Sequence, residues 1–169
     1  TKDQDGSRLF YETLVGWDQD GHQKDLQKLA QELGVESTVH FLGPKFGAAK
    51  CAAYHHAAAM VLPSLSEGLP MTVLEAWAWG KPVLMTAACN LPEGFEAEAD
   101  LAMDAEPASH FQALRALADM SERDRQAMGE RGRALAASRF TWSRIAGEMK
   151  QVYQWLLGGG HRPECVRMM

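Results

Sequence analysis

The stretch Leu62-Pro63-Ser64-Leu65-Ser66-Glu67-Gly68-Leu69-Pro70-Met71-Thr72-Val73-Leu74-Glu75-Ala76-Trp77-Ala78-Trp79-Gly80-Lys81-Pro82-Val83 decides how the rest of the chain is read. Met60-Val61-Leu62 is a short apolar run closed by Pro63, the pattern of a buried strand. A polar loop with Gly and Pro follows. A helix is then expected from about Pro70 to Trp79, with Pro at the tolerated first position and Gly80 as its stop. The first backbone amides of that helix point back toward the strand end. Together with the positive end of the helix dipole they form an anion site suited to phosphate. Gly68 leaves room for a ligand to approach the backbone, Pro70 fixes the entry angle, and Thr72 can add a hydroxyl to the same anion.

Working outward, the same alternation repeats. Thr13-Leu14-Val15 runs into Gly16 as a strand and turn, and helical spacing follows over Leu26, Leu29, Ala30 and Leu33, with Gly34 as the C-cap. Val39 and Phe41 mark a second strand, and an Ala-rich helix from Phe46 to Ala58 leads into the third. Pro82-Val83-Leu84-Met85 and Leu101-Ala102-Met103 supply a fourth and a fifth strand. The remainder is helical: a face of Phe111, Leu114, Leu117 and Ala118, then a helix capped by Ser121 and Asp124, then a regular stripe of Trp142, Ile145, Ala146, Met149, Val152, Tyr153 and Leu156. Strands alternating with helices give an α/β fold, Rossmann-like, with a parallel sheet and helices on both faces. In such sheets ligands bind outside the carboxyl ends of the strands, so the loops after Val15, Phe41, Leu62 and Met85 are where function belongs.

Glu67 precedes the expected anion site and Glu75 lies eight residues further on. Carboxylates accept well from vicinal sugar hydroxyls, and two of them flanking a phosphate site suit a ligand with hydroxyls on both sides of a diphosphate, as a nucleotide-sugar has. The plainer reading has Glu67 as a helix cap and Glu75 as an exposed helical residue. The pair alone favours the plainer reading, and the surrounding loop and helix shift the balance toward the ligand.

The block Pro63-Ser64, Glu67-Gly68-Leu69-Pro70, Leu74-Glu75-Ala76 and Gly80-Lys81-Pro82-Val83 resembles the signature of retaining GT-B glycosyltransferases of the family 4 type. Leu14-Val15-Gly16, Val39-His40-Phe41-Leu42-Gly43, Leu91-Pro92-Glu93 and Phe140-Thr141-Trp142 agree with it, so the resemblance runs from about residue 11 to 157. It implies a C-terminal, donor-binding domain. Glu67 would bind donor-sugar hydroxyls, as the residue that positions that sugar. Gly68, Leu69, Pro70 and Met71 would line the sugar and phosphates, the helix start at Met71 and Thr72 would hold the diphosphate, and Glu75 would bind the ribose. Leu42 and Gly43 would sit by the nucleobase, with Gly16 lining the same cleft. The implied reaction transfers a hexose from a nucleoside-diphosphate sugar to a polysaccharide or lipid-linked acceptor. The departing phosphate assists, and neither metal nor other cofactor is expected.

The departures matter too. The Arg and Lys that family members carry on the unit opening this domain have no counterpart, since Lys45, Lys50 and Lys81 do not map onto them, and Ala57-Ala58-Ala59 stands where an Asp is usual. The reading is therefore of a domain over residues 1–157, incomplete at its N-terminal side and lacking the first strand–helix unit, with a final helix at 142–157 and a Gly-rich tail at 158–169. The acceptor-binding N-terminal domain is the missing partner, and the chain alone is expected to be inactive. The rival is a non-catalytic α/β binding module, a degenerate transferase-like subunit. A phosphoreceiver domain fits less well, because the strands do not end in the acidic cluster such domains need for Mg²⁺.

Composition is compatible with this and excludes several classes. In 169 residues, 17 Lys and Arg against 22 Asp and Glu leave a net charge of −5, and no basic stripe suits a nucleic-acid backbone. Three scattered cysteines build no disulfide framework, and no apolar run approaches a membrane span. A cytoplasmic protein is expected, with the inner face of the membrane open to the full-length form. His55-His56 lack the i, i+4 spacing of a helical metal site. Trp77 and Trp79, two apart, face different sides and are read as packing rather than sugar stacking. The mixed charges between Glu122 and Arg133 are read as a solvated helix face.

Overall fold

Among the described residues there are five strands of three residues each: β1 Glu12–Leu14, β2 Val39–Phe41, β3 Met60–Leu62, β4 Val83–Met85 and β5 Asp100–Ala102. Between and after them lie α1 His22–Glu32, α2 Gly47–His56, α3 Met71–Ala78, α4 Pro92–Glu96, α5 Pro107–Asp119, α6 Glu122–Arg139 and α7 Trp142–Leu156. The computed structural model describes residues 11–18 and 20–167; the polar leader at 1–10 and the last two residues of the tail lie outside them. The chain divides into two compact units, residues 1–56 and 57–169.

In the first unit β1 and β2 run parallel, with Leu14 opposite Phe41. Helix α1 between them ends where the sequence indicates. Gly34, at φ 68°, donates its amide to Gln31, and the next amide, of Val35, reaches back to Ala30. That double bond pattern satisfies the last carbonyls of the helix and needs the left-handed residue that Gly supplies cheaply.

In the second unit β4 is the middle strand of a parallel sheet ordered β3-β4-β5. Val83, Leu84 and Met85 are all fully buried, as expected for a strand covered on both faces. Leu84 joins Met103 and the α5 residues Ala113 and Leu117 in one apolar cluster, while α3 packs against β3 and β4. Helix α6 packs most extensively on α3, and two glycines make that possible. A Cβ on Gly129 would stand 2.0 Å from the Gly80 carbonyl oxygen, and one on Gly132 would stand 2.7 Å from the Trp77 ring.

All strand pairs among the described residues are parallel, as the α/β reading of the sequence expects: β1 with β2 in the first unit, and β3, β4 and β5 in the second. Pro70 is not the first helical residue. It is the extended residue before it, at φ −72° and ψ 98°, and its carbonyl accepts the first bonds of α3. A single 3-10 turn, Ala87–Cys89, and the five-residue α4 were not anticipated. The arginines of α6 are more than a solvated face. Arg125 donates to the Leu117 and Met120 carbonyls at the end of α5, Arg131 to Glu98, and Arg133 to Trp79 at the end of α3.

Candidate functional site

Helix α3 is fixed at its far end and open at its near end. Gly80 donates to Trp77 and Lys81 to Ala76, a complete C-terminal motif around a glycine at φ 65°. Val73, Leu74, Ala76 and Trp77 bury one face of the helix. The intrahelical bonds begin with Val73 and Leu74 donating to Pro70, so the amides of Met71 and Thr72 precede the helix's own ladder. Pro70 is buried, whereas Gly68, Leu69, Met71 and Thr72 around it are exposed. The result is a solvent-exposed helix start, with no side-chain cap from Pro70, carrying the positive end of the dipole.

Glu67 lies in the loop leading to that start, and it does not cap the helix. Ser64 Oγ donates to its carboxylate oxygen Oε1 at 2.6 Å. The loop is stitched to the segment after β4. The Glu67 amide donates to the Ala88 carbonyl at 3.0 Å, the Asn90 side-chain amide donates to the Glu67 carbonyl, and the Thr86 hydroxyl donates to the Ser64 carbonyl. Both backbone polar groups of Glu67 are thus held by one turn, and its carboxylate is oriented from its own loop.

Glu75 is the fifth residue of α3, just over one turn into it, and half-buried. It shares its face with Met71, Leu74 and Ala78, and these line a groove of about 320 Å³ closed on its other side by Arg133, Ala136, Ala137, Phe140 and Thr141. Gly68 has open space where a Cβ would be, so the backbone there is accessible to a ligand. In the second unit the structure therefore brings together Glu67, Gly68, Leu69, Pro70, Met71, Thr72 and Glu75 along one loop and the helix it enters.

Gly16, Leu42 and Gly43 belong to the first unit, at the carboxyl ends of β1 and β2. Leu42 donates its amide to Leu14 at 3.0 Å, and Lys45 Nζ donates to the Leu42 carbonyl at 2.6 Å, which fixes the turn around Gly43 at φ 63°. The sequence reading missed Trp17, which lies beside Phe46 with ring centroids 6.1 Å apart; both rings are well exposed at this end of the strands. It also missed Thr86 and Asn90. Their one available signal was the position of this loop at the carboxyl end of β4.

Other candidates resolve as follows. Trp77 is fully buried while Trp79 is 37% exposed, so the two do face different environments. Trp77 Nε1 donates to Asp100 Oδ1 at 2.7 Å, and Asp100 Oδ2 is buried without a partner. Burial pushes the Asp100 carboxyl up to about 7, against the opposing pull of the Trp77 hydrogen bond. His55 and His56 sit edge to face, 4.9 Å between centroids, and no cluster of three potential metal ligands exists among the described residues. Cys51 and Cys165 are exposed and Cys89 is buried, all as free thiols. No helix among the described residues is long and apolar enough to cross a membrane.

Comparison with known proteins adds the following. Residues 11–135 match the protein family described as Glycosyl transferases group 1. D-inositol 3-phosphate glycosyltransferase of Corynebacterium jeikeium is 34% identical over 141 residues, a match covering 82% of this chain and 33% of that protein. The sucrose-phosphate synthase structure from Thermosynechococcus elongatus superposes with a TM-score of 0.71 at 30% identity, over 86% of this chain and 38% of that one. WaaG, a glycosyltransferase involved in lipopolysaccharide biosynthesis, superposes with a TM-score of 0.67 at 26% identity, over 88% of this chain and 38% of its own. The chain spans about a third of the length of the curated relatives it matches.

Proposed function

The chain belongs to the group 1 glycosyl transferases, with the α/β arrangement of GT-B enzymes, and from that premise we propose that it is the C-terminal, nucleotide-sugar-binding domain of a retaining hexosyltransferase of the family 4 type. The domain spans residues 1–157, with 158–169 as a tail. The observation that carries the reading is the solvent-exposed start of α3 between two carboxylates, Glu67 on the entering loop and Glu75 one turn inside.

The chemistry follows from that arrangement. Transfer breaks the bond between the anomeric carbon and the diphosphate, so negative charge grows on the leaving phosphate. The Met71 and Thr72 amides and the α3 dipole meet that charge without reorganising. Glu67 accepts from hydroxyls of the donor sugar, and Gly68, Leu69 and Pro70 line its path. Glu75 accepts from the ribose, while Gly16, Leu42 and Gly43 keep the roles near the base that the family resemblance implies. The departing phosphate takes the acceptor's proton, so the protein supplies charge stabilisation and positioning rather than a nucleophile. The reading calls for no metal or other cofactor.

The acceptor is a polysaccharide or a lipid-linked molecule, bound by a further domain of the full-length protein, which works in the cytoplasm or at the inner face of the membrane; the chain alone is inactive. Relatives bear on the acceptor in different ways, since one is named for an inositol phosphate and another for lipopolysaccharide assembly. The test is calorimetric titration of the full-length protein with UDP-glucose, GDP-mannose and ADP-glucose. One of the three should bind, and Glu75→Ala should weaken it at least about tenfold, as expected for losing hydrogen bonds to a charged acceptor. Binding by none, or binding indifferent to Glu75→Ala, contradicts the reading and favours a non-catalytic binding module.

A further inference from the structure

The turn after β4 makes none of the proposed donor contacts, yet it holds the loop that carries Glu67. Asn90 sits in the left-handed region at φ 54° and ψ 36°. Few residue types other than Gly tolerate that conformation, and Asn is one of them. Glycine would meet the backbone requirement as well, so the conformation alone does not explain Asn. What Asn adds is a side-chain amide, and its Nδ2 donates to the Glu67 carbonyl. The same turn receives the Glu67 amide at the Ala88 carbonyl, 3.0 Å away, and holds the Ser64 carbonyl through the buried Thr86 hydroxyl. Ser64 is in turn the donor to the Glu67 carboxylate.

We propose that Asn90 is a positioning residue for the donor sugar: its side-chain amide clamps the Glu67 backbone so that the Glu67 carboxylate stays at a fixed place in front of α3. The inference rests on the assignment of Glu67 to the donor sugar made above. The clamp acts on the loop upstream of Pro70, whereas α3 itself is anchored by its buried face and its C-terminal glycine. Removing the clamp therefore loosens the sugar contact and leaves the diphosphate contact at Met71 and Thr72 in place. A small displacement of a positioning carboxylate is enough to weaken a directional hydrogen bond.

The test uses Asn90→Gly, which keeps the left-handed turn and removes the amide, on the full-length protein. Asn90→Asp serves as a second variant that also tolerates the turn but replaces the donor with an acceptor. The probes are whichever of UDP-glucose, GDP-mannose and ADP-glucose binds, and the matching nucleoside diphosphate without sugar. Either variant should weaken the nucleotide-sugar about two- to tenfold, the range for one lost exposed hydrogen bond, and change the nucleoside diphosphate less than about twofold. Adding Glu67→Ala to Asn90→Gly should weaken the nucleotide-sugar no further than Glu67→Ala alone, because both act through one carboxylate. Equal weakening of both probes, no weakening of either, or additive effects of the two substitutions would overturn the positioning role while leaving the donor-site reading intact. If none of the three sugars binds the unsubstituted protein, the donor-site reading fails and this inference with it.

Discussion

At the scale of single residues, Asp100 carries the sharpest solution behaviour. Its carboxylate is buried at the start of β5, bonded by one oxygen to Trp77 and by the other to nothing. Burial lifts it from 3.8 in the ordinary state to about 7. Below about pH 4 folded and unfolded chains both hold the proton, so Asp100 contributes no slope. From there to about pH 7 the unfolded chain gives the proton up while the folded chain keeps it, and stability falls as pH rises. Above pH 7 both forms are ionised and the decline stops. Urea midpoints measured from pH 5 to pH 8 should therefore show a fall that Asp100→Asn flattens, with a total span of a few kcal/mol at most. An identical slope in the variant would show that Asp100 is not the group responsible. None of this was legible in the sequence, because a lone Asp at the head of a strand gives no sign that a tryptophan 23 positions away will bury it.

At the scale of elements, the reading of residue periodicity succeeded where elements were long or sharply punctuated. Gly34 and Gly80 end their helices at the expected places because a left-handed residue leaves a local, sequence-visible mark. The start of α3 was legible to within one residue from Pro70, whose fixed φ marks the helix entry, although Pro70 precedes the helix rather than opening it. The 3-10 turn at Ala87–Cys89 and the five-residue α4 were not, since neither is long enough to display helical periodicity. The clamp on Glu67 was invisible because it joins the loop after β3 to the turn after β4, and only the parallel pairing of those strands brings the two together. The contact of α6 with α3 was hidden in a largely polar helix, since its closest approach is made by Gly129 and Gly132, with Met128 and Leu135 buried on the same helix.

That contact makes two glycine substitutions diverge. Gly129→Ala drives a methyl group against the backbone carbonyl of Gly80, which no rotamer change relieves, and should destabilise the protein by about 2 kcal/mol or more. Gly147→Ala lies inside α7 with nothing within 4 Å of the added Cβ, and should stabilise by about 0.5–1 kcal/mol through helix propensity alone. Chemical denaturation of the two variants distinguishes them by sign. Stability unchanged in Gly129→Ala would mean that α6 does not approach α3 this closely. Helix α7 itself was legible as a regular apolar stripe. The structure leaves that stripe without a buried residue, with Trp142 82% exposed and Leu156 66% exposed.

At the scale of the whole molecule, the fold class and the loop that carries the candidate site were both readable from residues 62–83, because a strand, an open helix start and a glycine stop are written there in sequence order. Which strands pair with which was not, since strand pairing depends on contacts that periodicity does not report. With a net charge of −5 the sequence offers a diphosphate no attraction by its overall field, so the proposed donor site relies on local amides and a helix dipole. In the proposed donor site the amides at the start of α3 hold the diphosphate of a nucleotide-sugar. The most direct measurement is amide chemical-shift mapping of the isotope-labelled full-length protein titrated with UDP, GDP and ADP. With the nucleotide that binds, the largest shifts are expected at Gly68, Leu69, Met71 and Thr72. Saturable shifts elsewhere with those four amides unmoved, or no shift with any of the three nucleotides, would contradict that role of the amides.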